Sequence, residues 1–153
     1  MKRLVSLTLI GAIFVSAAAF AADPVVGTWK LNVAKSTFNP GPALKAATRT
    51  YTEAGGVYTM DQKVTMADGK EAATHVQYKE GGEMKMSAAG SIDSGTGKKV
   101  DANTWDFELK SAGKVVGKVH RVVSADGKTL TVHNTGLQPN GRVGDDTLVF
   151  DRQ

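Results

Sequence analysis

From about residue 25 onward, apolar residues recur at every second position in short runs. They do not fall at the three-and-four spacing that marks one face of a helix. Turn signals separate the runs. Two share one wording, "MADGKE" at residues 66–71 and "SADGKT" at residues 124–129. Asp-Gly is a strong hairpin signal because both residues tolerate positive φ. "EAGG", "KEGGE", "KSAGK" and "QPNGR" read as further hairpin tips. The pattern predicts strands at 25–31, 46–54, 56–66, 70–79, 83–88, 98–102, 104–111, 114–124, 128–136 and 143–151. A meander of tightly joined strands closes on itself, because closure removes the exposed edges. The fold class expected is therefore all-β, an antiparallel up-and-down barrel of about eight to ten strands. One connection, "NVAKSTFNPGPALK" at 32–45, is too long for a hairpin. It has room for a short helical turn, but Pro40-Gly41-Pro42 forbids a long helix.

Before the first strand the pattern changes. Met1-Lys2-Arg3 is a basic head, "LVSLTLIGAIFV" is an apolar run, and "SAAAFAA" is small-residue rich. Ala19-Phe20-Ala21 fits an A-x-A cleavage site, so residues 1–21 read as a signal peptide and 22–153 as one mature domain. An uncleaved anchor is the competing reading, and the lack of a basic stop-transfer flank argues against it. No cysteine stands near the cut, so a lipid-anchored lipoprotein is excluded. Periplasmic or secreted localisation is expected, with no stable membrane anchor.

Composition narrows the function classes. The chain has 19 basic residues; Lys2 and Arg3 fall in the head, which leaves 17 against 15 acidic ones. That balance does not make the concentrated basic face of a nucleic-acid binder. The chain contains no cysteine. Disulfides, thiolate metal sites and cysteine nucleophiles are therefore excluded, and apolar packing has to hold the fold.

Period-two counting also sets out the barrel's seam. Gly27, Trp29 and Leu31 share one face of the first strand; Leu148, Phe150 and Arg152 share one face of the last. If the last strand pairs with the first, Arg152 comes to lie near Trp29. A guanidinium on an indole face is favourable by about 0.5–2 kcal/mol. Trp29 would plug one end of the barrel, and Gly27 would let the chain pass closely.

These residues carry a resemblance. "GTWKLN" resembles the G-x-W signature that opens the calycins, which include lipocalins and fatty-acid-binding proteins. The mature chain is also similar to a group of small exported bacterial lipocalin-like proteins, through "GTWKLNVAKSTFNPGP", "RVVSADGKTLTV" and "LVFDRQ". The resemblance implies a closed barrel with a ligand-binding lumen. Departures limit what carries over. Residues 32–45 are too few for the helix-turn-helix lid of fatty-acid-binding proteins. Their Arg-x-Tyr carboxylate anchor is replaced by Phe150-Asp151-Arg152, and the lipocalin T-D-Y motif is missing. Fatty-acid binding is therefore not implied.

The candidate binding surface is a stripe of methionines and tyrosines. Tyr58, Met60, Val64 and Met66 share a face of one strand; Thr74, Val76 and Tyr78 a face of the next; Met84 and Met86 a face of the one after. Methionine is flexible and polarisable and adapts to varied apolar partners. Trp105, Phe107 and Leu109 would form the far wall. The stripe reads either as an apolar pocket lining or as ordinary core filling. Other chemistry finds no support. "GSIDSGTGKK" at 90–99 has Ile92 where a phosphate loop needs its first glycine and Lys99 where it needs a hydroxyl, so it reads as a solvated loop at the barrel rim. His75, His120 and His133 lie on three different strands, without metal-ligand spacing. No serine stands in a nucleophile-elbow context. Asp106 and Glu108 alternate with Trp105, Phe107 and Leu109 and so face water.

Two function classes remain. The first is non-catalytic binding of a small apolar or amphipathic ligand in the lumen, by a monomer without cofactor or metal. The second is a filled barrel acting through its outer surface and loops, as an envelope interaction or inhibitor module. An open lumen favours the first and a packed lumen the second.

Overall fold

The computed structural model describes residues 22–87, 91–138 and 141–153. The signal sequence expected at 1–21 lies outside the described residues. Ten strands form: β1 (Gly27–Leu31), β2 (Ala46–Ala54), β3 (Val57–Thr65), β4 (Glu71–Tyr78), β5 (Glu83–Ser87), β6 (Ser94–Lys99), β7 (Thr104–Ser111), β8 (Lys114–Val123), β9 (Thr129–Leu137) and β10 (Val143–Arg152). Each pairs antiparallel with the next, and β10 returns to β1, so the sheet is a closed barrel. The fold is all-β and antiparallel.

Alternation explains both the strands and their burial. On β7, Trp105, Phe107 and Leu109 are buried, while Asp106 and Glu108 are exposed. On β4, Thr74, Val76 and Tyr78 point in and His75 and Gln77 point out. The period of two puts one set of side chains in the lumen and the other in water. The core is therefore the barrel's interior, where Trp29, Leu130, Val132 and Phe150 are fully buried.

The barrel closes where β1 meets β10. Trp29 is the direct partner of Arg152, and Leu31 of Phe150. The Arg152 guanidinium lies 4.2 Å from the centroid of the Trp29 ring. Its N–H groups donate to the carbonyls of Val26 (2.9 Å), Gly127 (2.5 Å) and Pro24. Trp29 in turn donates its indole N–H to the carbonyl of Val25 at 2.8 Å. Gly27 has φ +136°, and a Cβ there would stand 2.7 Å from Arg152 Nη1. Both facts demand glycine.

The connection from β1 to β2 contains a single 3-10 turn, Val33–Lys35, in which the Asn32 side chain caps the Lys35 N–H. No helical lid stands there. Thr37 instead bridges to Thr147 and extends the sheet, and Leu44 turns inward to the core.

The structure corrects the sequence reading at the sixth strand. Residues 90–99 were expected as a solvated loop and the strand at 98–102; β6 in fact spans Ser94–Lys99, within that stretch. Gly95 and Gly97 are buried and lie against β7. A Cβ on Gly97 would stand 2.9 Å from the Phe107 ring, and one on Gly95 would stand 2.6 Å from the Glu108 carbonyl oxygen. Glycine's low strand propensity hid the strand from the sequence pattern. Here the missing side chain is the requirement, because β6 lies directly over its neighbour's rings and backbone.

The seam and β6 each lend themselves to a stability test. Trp29→Ala should cost about 3–5 kcal/mol as a buried large-to-small change. Arg152→Ala should cost less and shift the tryptophan emission. Denaturant unfolding followed by fluorescence measures both; a Trp29→Ala protein as stable as the parent would contradict the closure described. Gly97→Val should cost about 1–3 kcal/mol by overpacking against Phe107, which thermal melts by circular dichroism would show.

Candidate functional site: the barrel lumen

The lumen has a solid floor and a cavity above it. Tyr58, Tyr78, Trp105 and Phe107 form the floor. Tyr58 stacks on Tyr78 with centroids 5.3 Å apart, and Trp105 on Phe107 at 5.7 Å. Edge contacts of 5.1–5.3 Å join the two pairs. Rings in such offset and edge-to-face contact add to their area burial by about 0.5–1.5 kcal/mol per pair. These four come from β3, β4 and β7.

Below the floor, the chain entering β1 fastens that end. The Asp23 carboxylate accepts from the Tyr58 hydroxyl and the Lys99 ammonium, each at 2.8 Å, and from the Val25 N–H at 3.1 Å. Burial pushes the Asp23 carboxyl up. The hydrogen bonds from Lys99, Val25 and Tyr58 outweigh it, so the net direction is down. The Tyr58 phenol moves the other way, raised by burial first and then by the Asp23 carboxylate it serves.

Above the floor lies a cavity of about 80 Å³. One part of its wall is apolar, with Met60, Val76, Met84, Met86, Leu109 and Val119. Tyr78 and Phe107 border it from the floor. Of the residues expected to line the lumen, Tyr58, Val64, Met66 and Trp105 do not border this cavity; Tyr58 and Trp105 are packed into the floor beside it. Gly27, Trp29 and Arg152 stand at the seam and do not border the cavity.

The second part of the wall is polar, and apart from Thr74 a reading of apolar stripes does not reveal it. Arg49, Gln62, Thr74, Arg121, Asn134 and Gln138 all border the cavity and all are buried. Their positions obey the same alternation. Arg121 lies between Val119 and Val123 on the inner face of β8, and Arg49 between Ala47 and Tyr51 on that of β2. A charged residue flanked at i±2 by inward apolar residues is the signal the sequence offers.

Arg121 is only 2% exposed. Its guanidinium carbon lies 5.1 Å from the Tyr51 centroid, 5.2 Å from Phe107, and 5.6 Å from both Tyr78 and Trp105. Nη1 donates to the Tyr78 hydroxyl at 2.5 Å. Burial works against the charge on Arg121, but the Tyr51 and Tyr78 hydroxyls outweigh it, so the guanidinium is held protonated more firmly than usual. Burial raises the Tyr78 phenol, and Arg121 opposes that rise only in part. Arg49 donates from Nε to the Gln62 amide oxygen at 2.5 Å, and its guanidinium lies 4.8 Å from the Phe150 centroid. The buried carboxylate of Asp146 is engaged elsewhere, with the Asn39 N–H, the Gln138 amide and Arg142.

The outer face is built differently. His75, His120 and His133 each bond an aspartate, namely Asp61 (2.7 Å), Asp106 (2.6 Å) and Asp145 (2.6 Å). Among the described residues, no group of three or more potential ligands converges on a metal position.

Solved structures share this architecture. Zebrafish ileal bile acid-binding protein, complexed with cholic acid, superposes with a TM-score of 0.52 at 10% identity, over 85% of this chain and 99% of that one. The likeness is one of fold, a closed antiparallel β-barrel. A redesigned β-barrel, mFAP1, bound to DFHBI, gives 0.48 at 11% identity over 84% of this chain and 95% of that one. Rv2717c from M. tuberculosis gives 0.47 at 16% identity over 85% and 93%. No protein-family model and no curated relative matches the sequence. At 10% identity the likeness to the zebrafish barrel concerns the fold alone.

The Asp23 cluster generates a pH prediction. Its folded carboxyl sits below the ordinary value of 3.8. It therefore contributes stability above that value, and the contribution is lost as pH falls through the folded value. Asp23→Asn should lower stability at pH 7 and flatten its loss as pH falls below about 4. Urea midpoints across that range measure it; an unchanged acid slope in the variant would show that Asp23 does not govern the acid sensitivity.

Proposed function

We propose that the protein is a non-catalytic binder of a small amphipathic ligand, held in the barrel lumen. The observation that carries this reading is the cavity wall itself. Met60 on β3 and Met84 and Met86 on β5 flank Val76 of β4, around one cavity that also exposes a polar set. Ligand sites have this composition: mostly apolar lining with a few convergent polar groups that fix orientation. Methionine side chains adjust to their partner at low cost, which suits a cavity of about 80 Å³ that has to fit itself around an occupant. Binding would draw its affinity from desolvation of the ligand's apolar part.

The solved zebrafish barrel supports the reading by analogy: it shares the fold and is described with cholic acid bound. We place the protein in the cell envelope on the signal-like residues 1–21 and read 22–153 as the functional unit, acting as a monomer. N-terminal sequencing of the exported protein should begin at Ala22 or Asp23.

An apolar fluorescent probe should bind the folded protein with defined stoichiometry. Met84→Glu should abolish that binding, since an unpaired carboxylate is costly in an apolar wall. Lys85→Glu, on the exposed face of the same strand, should leave it intact. Both variants must retain the parent's circular dichroism. Probe binding that survives Met84→Glu unchanged, or that never appears in the parent, would overturn the reading.

A further inference from the structure

Among the described residues, two guanidinium groups, Arg49 and Arg121, border the lumen cavity, and no aspartate or glutamate does. Arg121 is almost completely buried. By bond geometry its Nε and Nη2 have no hydrogen-bond partner, the Tyr51 hydroxyl acting on the guanidinium only as a looser polar contact, and neither has the neighbouring Trp105 Nε1. Every unpaired atom at this place is a donor, so the imbalance has one sign. A guanidinium stays protonated under all ordinary conditions. Aromatic faces attract it, but they do not accept its in-plane N–H groups along the usual directions. The Tyr51 and Tyr78 hydroxyls hold the guanidinium charged, and a buried cation that still lacks a counter-charge gains further from an anion arriving from outside.

The shape of the unpaired edge narrows the anion. Nη1 is used by Tyr78. Nε and Nη2 make up the other edge of the guanidinium, whose two parallel N–H groups match the two oxygens of a carboxylate. We infer that the ligand carries a carboxylate head, received by Arg121 at the aromatic floor, with Arg49 adding a second positive charge to the same cavity. The apolar tail then runs along the methionine wall. This rests on the lumen-binding reading above and specifies the ligand's chemical class and orientation. The residues differ from the Arg-x-Tyr anchor that the last strand lacks: Arg121 and Arg49 stand on β8 and β2.

A matched series that varies only the head tests it. Octanoate, octan-1-ol and octylammonium share one tail. Titration calorimetry on the parent protein should show octanoate binding at least about 10-fold tighter than the other two, the scale of a charge-assisted pair. Arg121→Met should erase that preference, lowering octanoate affinity about 10- to 100-fold while leaving octan-1-ol within about threefold. The Arg121 Nε–H resonance should shift on adding octanoate and not on adding octan-1-ol, a readout that needs no variant. Equal or tighter binding of octan-1-ol by the parent would overturn the carboxylate inference and leave lumen binding intact. An octanoate preference that persists in Arg121→Met would overturn the assignment to Arg121. If none of the three binds, the lumen-binding reading itself fails.

Discussion

Everything in this molecule depends on the pairing of β1 with β10. An open meander of ten strands would present two unpaired edges to solvent; the closed one presents none. The chain has no disulfide to enforce closure, so the seam must do it through packing and hydrogen bonds. Arg152 is the residue that joins the parts. It covers Trp29 and bonds carbonyls on the entering chain, at Pro24 and Val26, and on the β8–β9 turn, at Gly127. One side chain thus ties the first strand, the last strand and a distant hairpin. Trp29, held by its indole bond to Val25, seals the lumen at that end and lets the interior differ from water.

That seal makes the polar lumen chemically consequential. In bulk solvent a guanidinium attracts a carboxylate weakly, because water screens both. Inside a sealed barrel the effective dielectric is lower and the same pair interacts far more strongly. The cost is that Arg121 must be held without a counter-ion in the unliganded barrel. Its surroundings soften this: four aromatic faces and the Tyr78 hydroxyl all present negative potential to it. The floor is therefore both a structural plug and a cradle for the charge. Asp23 could have neutralised the cluster, but it lies beneath the floor and is already engaged by Lys99 and Tyr58.

Most of the barrel is legible in the sequence because period-two alternation is a direct image of inside and outside. Strands such as 104–111 carry it without interruption, and Asp-Gly turns mark the ends of others. β6 is not legible, since Gly95 and Gly97 contribute no hydrophobic signal; their reason for being there is the Phe107 ring and the Glu108 carbonyl, which only the neighbouring strand reveals. The methionine wall emerges from alternation as well. The split between wall and floor does not, since whether Tyr58 and Trp105 border a cavity or fill it depends on how rings from three strands meet. The polar half of the lumen is legible in principle. "VHRVV" puts Arg121 in register with inward valines, and "ATRTY" puts Arg49 in register with Ala47 and Tyr51. Attention to apolar residues alone passes over both.

The asymmetry of the lumen also constrains how an amphipath can lie in it. Arg121 touches the floor rings, whereas Leu44, Gln138 and Leu148 border other parts of the cavity. A ligand inserted tail-first would bring its hydrocarbon against a buried guanidinium and leave both unpaired N–H groups without acceptors. Its head would then lie away from the floor arginine. Head-first insertion pairs the donors and lays the tail along Met60, Met84 and Met86. The hydrophobic effect is non-directional and does not by itself fix the orientation. The choice falls to the unsatisfied donors, whose cost on staying unpaired exceeds the net worth of an ordinary hydrogen bond. On the proposed reading, specificity for the head and adaptability for the tail would come from different parts of the same wall: rigid rings around an arginine would select the charge, and pliant methionines would accommodate the hydrocarbon attached to it.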